Sequence, residues 1–346
     1  MPAPDESAPV ARLDALDAIR GVAILLVVGV HAQGYAQPMD ATTATIMALI
    51  VNQICVPVFF LVDGWIEGHR TLKGRTGPYG EAVRSSARRL LLPWLLFTVA
   101  YGVARYLFER LGVLDSQIVY SASALEVLIA AWGSVYTPQL YFLVSLFLIR
   151  LLNPLHQSLV RRFGFVPLAL LALAAALIYR WTSPVTVALL DIEGGQEPLL
   201  HAFYNYQFYL AGLALRHWPP SWSARRCATV LLIAYLGLCA AYLTLDLSGY
   251  GYYLKYPYLI GAFLFAMTGA LNWAPLLALG RDTMPIYLLH VPIVMKLAAI
   301  LCAAVPVPAL LSVLLVWSVT LALTLALIRL IRLLPYHGIL FGEPIR

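Results

Sequence analysis

Long hydrophobic runs dominate the chain and are separated by short polar connectors. Because a helix needs roughly 20 apolar residues to cross the hydrocarbon core of a bilayer, each long run predicts one membrane span. The ten predicted spans cover residues 18–36, 42–66, 90–111, 136–153, 163–180, 200–216, 226–245, 252–272, 284–303 and 306–333. The pattern predicts an all-α, polytopic integral membrane protein. Its ten-helix transmembrane domain covers residues 18–333, between an N-terminal cytoplasmic segment 1–17 and a cytoplasmic tail 334–346.

Arginine and lysine residues predict the orientation of these spans, since connectors on the cytoplasmic side of a membrane are enriched in them. The connector between the second and third spans is the most basic, and arginines also follow the fourth, sixth, eighth and tenth spans. The other connectors carry fewer basic residues, although Arg110, Arg180 and Lys255 lie at predicted outer helix ends. An even number of spans with both termini in the cytoplasm fits this distribution.

The composition supports a membrane protein and narrows its chemistry. Hydrophobic residues make up 61% of the 346 residues and charged residues 12%, too few polar groups to cover a water-soluble globule. The four cysteines lie in or beside apolar runs without metal-ligand spacing, so neither a metal site nor a disulfide is expected. The net charge of +6 comes from basic residues at helix ends, which argues against a nucleic-acid partner.

Arg20 and His31 are the most unusual residues of the first predicted span, because ionisable side chains are costly inside a bilayer. Their spacing of eleven positions places them on one helix face, about 16 Å apart along its axis. Arg20 is expected near the cytoplasmic surface, as a phosphate contact or as a snorkelling anchor. His31 is expected near the middle of the bilayer, where an imidazole takes a proton from a hydroxyl group or merely hydrogen-bonds a neighbour.

Two acidic residues stand near this pair in the sequence. Asp17 precedes Arg20 by three positions, where it can pair with the arginine or cap the start of the helix. Asp63 lies in the second span between Pro57 and Gly64, two residues that favour a bend. Asp63 is a candidate for substrate binding, and the alternative is that its carboxylate reaches the membrane surface.

A basic stretch with Arg84, Arg88 and Arg89 opens the third span. Guanidinium groups suit phosphate recognition, but anchoring to lipid head groups explains such a cluster equally well.

Three further polar residues are candidates for substrate binding. His290 lies within the ninth span close to Pro292, and Tyr206 and Tyr209 lie in a polar, aromatic part of the sixth span. Aromatic and amide side chains suit a carbohydrate-facing surface, although aromatic belts at membrane interfaces have the same composition.

The motifs, taken in order, resemble those of the acyltransferase family 3 membrane proteins, which transfer acyl groups from acyl-CoA to sugars and other acceptors. The family opens with an arginine and a histidine separated by ten residues, as Arg20 and His31 are. The remaining similar segments are 56–64, 89–94, 140–143, 208–212 and 286–292. Asp63 stands where the family usually has serine, and the chain is similar to stand-alone members without a soluble esterase-like domain.

This resemblance implies an O-acyltransferase, specifically an O-acetyltransferase, of the cytoplasmic (inner) membrane. The donor would be cytoplasmic acetyl-CoA and the acceptor a hydroxyl of a cell-surface glycan or lipid-linked sugar; membrane lipids are partners, and a homodimer is left open. The implied CoA-binding residues are Arg20, Arg84, Arg88 and Arg89. The implied catalytic residues are His31, Arg20 and Asp17. His31 would act as a general base or as a covalent acyl carrier.

A transporter or exporter is the main alternative, with His31, Asp63 and Arg20 lining a proton or anion path. The ordered motifs argue against it, and the chain lacks the paired Gly/Pro-broken segments that mark the repeated halves of many transporters. A membrane sensor or assembly factor on a decayed enzyme scaffold is the third possibility. The presence of both Arg20 and His31 argues against decay.

Overall fold

A computed structural model of the protein describes residues 9–114, 118–190, 195–245 and 251–343, and their side chains from residue 14 onward. All regular structure within these ranges is helical, which confirms the predicted all-α class. The helices are α1 (Pro9–Gln33), α2 (Ala41–Met47), α3 (Pro57–Leu72), α4 (Tyr79–Ser86), α5 (Leu92–Arg110), α6 (Ala124–Trp132), α7 (Tyr141–Arg150), α8 (Asn153–Arg162), α9 (Phe165–Leu190), α10 (Pro198–Arg216), α11 (Ala224–Thr244), α12 (Gly251–Met267), α13 (Ala274–Arg281), α14 (Thr283–Leu289), α15 (Met295–Ala303), α16 (Ala309–Ile331) and α17 (His337–Phe341).

Each predicted span coincides with a helix or with a helix pair, but not all of them have the length and apolarity of a simple span. Seven segments within the described ranges are long and apolar enough to cross a membrane. The fourth predicted span contains the ten-residue helix α7, and α8, which begins where that span ends, is bent from α7 by 56°. The sixth is the polar helix α10, and the eighth, α12, has 17 residues. A polytopic membrane protein follows from these helices, and the count of ten spans stays a prediction.

The predicted N-terminal segment 1–17 falls partly on residues 1–8, which lie outside the described residues. From Pro9 onward this segment is helical and continues without a break into the first span. The first helix therefore begins nine residues earlier than the apolar pattern predicts, because Ala15, Leu16 and Ala18 already pack in the protein interior.

The chain forms two compact units. Unit 1 comprises residues 1–62 and 218–328, and unit 2 comprises residues 63–217 and 329–346.

Helix α1 lies in the interior of unit 1, where it packs against α12, α13 and α14. Two glycines permit close contact with α13: Gly21 faces the backbone carbonyl of Leu276, and Gly280 faces the backbone carbonyl of Asp17. Small residues allow helix backbones to approach closely in a membrane, where lipid supplies no hydrophobic drive for helix association. Burial within the protein covers 67% of the apolar window of α1 but only 11% of that of α11, whose apolar side chains point outward.

Unit 2 is organised around α10, which packs against α7 and α9. Gly64 of α3 lies against the backbone carbonyl of Tyr209 in α10, with no room for a Cβ atom. The predicted bending role of Gly64 is therefore a packing role.

Proline residues interrupt the hydrogen-bond ladder of several helices, among them α9 at Pro184 and α12 at Pro257. Pro57, Pro93 and Pro292 each lack the N–H group that would bond the carbonyl four residues earlier. Segments with π-helical hydrogen bonding cover Ala48–Asn52, Ala87–Leu91 and His290–Val294. Such distortions occur frequently at functional sites.

Side-chain caps define two helix starts outside the apolar helices. The Asp40 carboxylate accepts hydrogen bonds from the hydroxyl and backbone N–H of Thr43 at the start of α2, which lowers the pKa of Asp40. Ser123 and Glu126 form a reciprocal capping box at the start of α6, which lowers the pKa of Glu126.

The contact between α1 and α13 yields a stability prediction. A Cβ atom at Gly21 would overlap the Leu276 carbonyl, so Gly21→Ala should destabilise unit 1 by about 1–3 kcal/mol through overpacking. The matched control is Gly237→Ala in α11, where nothing lies within 4 Å of the new methyl group. Thermal unfolding in detergent should show a lower midpoint for Gly21→Ala alone. Equal midpoints for the two variants would contradict this packing.

Candidate functional site

Arg20 and Asp17, the candidates in the first half of α1, form an ion-pair cluster within unit 1. Arg20 Nη1 lies 3.4 Å from Asp17 Oδ1, and Arg281 of α13 reaches Asp17 Oδ2 at 3.6 Å and Asp14 Oδ1 at 3.4 Å. The Arg20 side chain is 30% exposed, so it remains accessible to an anion. Asp17 lies two turns inside α1, so the alternative interpretation of Asp17 as a helix cap is wrong.

His31 lies in the last turn of α1, two residues before the helix ends at Gln33. Helix α1 starts earlier and ends earlier than its apolar pattern suggests, so His31 lies at its end, and the depth of His31 near the middle of the bilayer stays a prediction. Helix α1 runs unbroken from Arg20 to His31, so the predicted separation of three turns holds. The His31 side chain is partly exposed, which leaves a route for a substrate group.

The ring of His290 lies beside the ring of His31, with centroids 5.3 Å apart and planes tilted by 55°. His290 is completely buried, and its Nδ1 atom lies 2.9 Å from the backbone oxygens of both Ile286 and Tyr287. The structure thus brings together two histidines that are 259 positions apart in the sequence.

His290 lies at a break in the helix of the ninth predicted span. Helix α14 ends at Leu289, and Val291 has extended backbone angles, with φ −127° and ψ 149°. The residue before a proline disfavours helical angles, so Pro292 accounts for the break. The chain resumes as α15 at Met295, and His290 is held at the junction.

The three basic residues of the third span line one cavity in unit 2. The cavity has a volume of about 690 Å³, within the range of small-molecule sites. Its lining residues are Glu81, Arg84, Ser85, Arg88, Arg89, Leu92, Gly338, Ile339, Gly342 and Glu343. The predicted arginine cluster therefore lines a half-open groove that the C-terminal residues complete.

The C-terminal tail supplies one wall of this cavity, which the sequence analysis missed. Helix α17 packs against α5 through the buried Phe341. Gly342 has a positive φ of 63° and lies against the backbone carbonyl of Arg89. Arg332 pairs with Glu343 at 3.1 Å and holds the tail end. The available signal was a pair of glycines, Gly338 and Gly342, on either side of an apolar Ile-Leu-Phe triplet in the short tail.

Asp63 is engaged by an arginine that the sequence analysis did not single out. Both carboxylate oxygens of Asp63 accept hydrogen bonds from Arg150 of α7, one of them at 2.9 Å from Nε. Both side chains are largely buried in unit 2. This bidentate pair joins α3 to α7, so the carboxylate of Asp63 already has a protein partner.

The two predicted tyrosines belong to a buried hydrogen-bond chain in unit 2. The Tyr206 hydroxyl lies 3.1 Å from Nε2 of His156, and Nδ1 of His156 lies 3.4 Å from Oδ1 of Asn153. The Tyr209 hydroxyl donates to the same Asn153 oxygen at 3.4 Å. Tyr209 is fully buried, so the expected exposed sugar-facing surface is wrong for it, whereas Tyr206 is partly exposed.

The predicted residues thus fall into three groups. Unit 1 contains Arg20 with Asp17, and His31 with His290. Unit 2 contains the arginine cavity in one place and the Asp63 and tyrosine network in another.

The pair of Asp63 and Arg150 gives a test of its structural role. Arg150→Met leaves a buried carboxylate unpaired and should cost about 3–5 kcal/mol of stability, whereas Asp63→Leu with Arg150→Met should regain much of that loss. The control is Arg332→Met, which removes a more exposed pair and should cost about 0–1 kcal/mol. Thermal unfolding of the four proteins checks this. A double variant no more stable than Arg150→Met would argue against the pair.

Comparisons with known proteins bear on the whole chain. The family model of the acyltransferase domain matches residues 13–329, which include the α1 cluster, both histidines and the three cavity arginines. No curated protein and no solved structure shows a significant match. Because the match covers almost the entire chain, the protein belongs to acyltransferase family 3.

Proposed function

We propose that the protein is an O-acetyltransferase that moves an acetyl group from cytoplasmic acetyl-CoA to a hydroxyl of a cell-surface glycan or lipid-linked sugar. The observation that carries the proposal is the pair of His31 and His290 in a chain whose family is an acyltransferase family. A partly exposed imidazole backed by a buried one suits proton transfer from a hydroxyl group.

The proposed reaction is a direct transfer at the thioester. His31 takes the proton of the acceptor hydroxyl as its oxygen attacks the thioester carbonyl. The C–O bond forms, the C–S bond breaks, and the departing CoA thiolate takes the proton back from His31. General base catalysis of this kind contributes about 10²–10⁴ to the rate. A covalent acyl-histidine on His31 is the competing route.

Within unit 2, Arg84, Arg88 and Arg89 are proposed to bind donor phosphates, and within unit 1 Arg20 of the α1 cluster is proposed as a phosphate contact. Arginine forms bidentate, charge-assisted hydrogen bonds with phosphate, and three arginines on one cavity wall match a ligand with several phosphate groups. Asp17 holds Arg20 in place through their ion pair. The basic connectors support a cytoplasmic entry for the donor and two cytoplasmic termini, in an inner membrane.

Among the four predicted substrate-binding residues, Tyr206 suits contact with the sugar acceptor best. It is partly exposed, and its hydroxyl is oriented by His156. Asp63 and Tyr209 support this region from within, since both are buried and bonded to protein partners. His290 is buried beside His31 and is treated below.

A cell-based comparison tests the proposed function. Mass spectrometry of surface glycans and glycolipids should find an acetyl ester in cells with the wild-type protein and none in cells without it. His31→Ala should abolish the ester because the hydroxyl proton has no acceptor, while the protein still inserts in the membrane at wild-type amounts. An unchanged ester content in His31→Ala cells would overturn the role of His31, and identical glycans with and without the protein would overturn the function.

The donor cavity gives a second prediction, measured by binding of acetyl-CoA to the purified protein. Arg88→Ala combined with Arg89→Ala should weaken binding about tenfold or more, because charge-assisted hydrogen bonds are lost. Gly342→Val should also weaken binding, because its side chain would displace the tail wall from the Arg89 carbonyl.

The control for the tail is Gly74→Val. Gly74 has the same positive φ of 63°, but no atom lies within 4 Å of a Cβ atom there. Gly74→Val therefore introduces the same backbone strain as Gly342→Val without a steric clash. Binding of acetyl-CoA to Gly74→Val should stay at the wild-type level. Wild-type affinity in the Arg88→Ala/Arg89→Ala variant and in Gly342→Val would contradict the donor cavity. The arginines would then serve only membrane topology.

A further inference from the structure

The protonation of His290 follows from its surroundings. Its Nδ1 atom faces only the two carbonyl oxygens of Ile286 and Tyr287, each at 2.9 Å. Carbonyl oxygens accept hydrogen bonds and never donate them, so Nδ1 carries the hydrogen. A neutral imidazole has one N–H group, and Nε2 of His290 therefore presents a lone pair.

This lone pair has no donor among the described residues. Nε2 of His290 is enclosed by protein and makes no hydrogen bond there. An unsatisfied buried polar atom is costly and calls for an explanation in a native structure. The fold thus maintains a fixed, water-shielded hydrogen-bond acceptor next to the proposed catalytic histidine.

The neighbouring rings identify the donor that fits. His31 lies with its ring centroid at 5.3 Å from that of His290, and the ring of Tyr287 lies at 6.1 Å. His31 is partly exposed and His290 is completely buried, so an acceptor hydroxyl reaches His31 first. His290 stands behind His31 as seen from the substrate.

We propose that His290 is a positioning residue that orients His31, an inference that rests on the proposed function. In the reacting state, Nε2 of His290 accepts the N–H of His31, which leaves the other ring nitrogen of His31 unprotonated and directed at the acceptor hydroxyl. When His31 takes the hydroxyl proton, its hydrogen bond to His290 becomes charge-assisted and stronger. His290 keeps its own hydrogen on Nδ1 throughout, and the proton returns from His31 to the CoA thiolate.

A neutral histidine suits this position better than a carboxylate. Burying an ionised carboxylate without a paired charge is far more costly than burying a neutral imidazole. The backbone carbonyls of Ile286 and Tyr287 fix the tautomer without introducing a charge.

The test uses the full-length protein in nanodiscs, with acetyl-CoA as donor, a total membrane glycolipid extract as acceptor and free CoA thiol as readout. His290→Ala should lower the apparent kcat by about 10- to 100-fold, because His31 loses its orientation, while KM for acetyl-CoA stays unchanged. His290→Gln should recover most of the lost kcat, since its side-chain oxygen can accept the N–H of His31. Tyr287→Phe should match the wild type.

Each other outcome overturns the inference. Wild-type kcat in His290→Ala removes the positioning role, and a rise in KM alone assigns His290 to binding. If the kcat of His290→Gln is as low as that of His290→Ala, His290 carries a proton instead of only accepting a hydrogen bond. If Tyr287→Phe loses as much kcat as His290→Ala, the Tyr287 hydroxyl, not His31, is the hydrogen-bond donor to His290.

His31→Ala, measured in parallel, separates this inference from the proposed function. Activity in His31→Ala refutes His31 as the base, whatever His290 does. An inactive His31→Ala beside a fully active His290→Ala refutes only the positioning role.

Discussion

The close contact between α1 and α13 is the constraint on which the proposed active site of unit 1 depends. Gly21 and Gly280 let the two backbones meet where any larger residue would hold them apart. The same contact brings Arg281 to Asp14 and Asp17, so the polar start of α1 is joined to α13 by charge as well as by packing. Helix α14 begins two residues after α13 ends and leads directly to His290. One tight helix contact therefore fixes both ends of the proposed site.

Proline breaks supply the second structural principle. A continuous helix satisfies its own backbone and leaves little for side chains to bond, whereas a break frees carbonyl groups inside an apolar protein. At Pro292 the lost N–H belongs to the ladder of the Leu288 carbonyl, and the carbonyls of Ile286 and Tyr287 just before this break fix the tautomer of His290. At Pro93 the lost N–H belongs to the ladder of the Arg89 carbonyl, and Gly342 of the tail packs against that carbonyl. Both proposed substrate regions thus lie at distorted helical segments.

The apolar pattern was sufficient to predict the long helices, because membrane-spanning helices must satisfy their backbone locally and their length follows from bilayer thickness. It missed the short helices of the connectors and the tail, α13 among them. The spacing of Arg20 and His31 was also readable, since it depends on one unbroken helix. Long-range contacts were not readable. Nothing in the sequence links Asp63 to Arg150, Tyr209 to Asn153, or the C-terminal tail to the arginine cavity. The start of α1 was misjudged because interior packing, rather than hydropathy, decides where this helix begins.

The central claim is that His31 performs acetyl transfer from acetyl-CoA to a sugar hydroxyl. The most direct measurement follows a radiolabelled acetyl group from acetyl-CoA into a glycolipid extract, with purified protein in nanodiscs. Ester-linked label should appear in the glycolipid fraction with the wild-type protein and not with His31→Ala, although both proteins should bind acetyl-CoA equally. Equal transfer by the two proteins, or no transfer by the wild type, would contradict it.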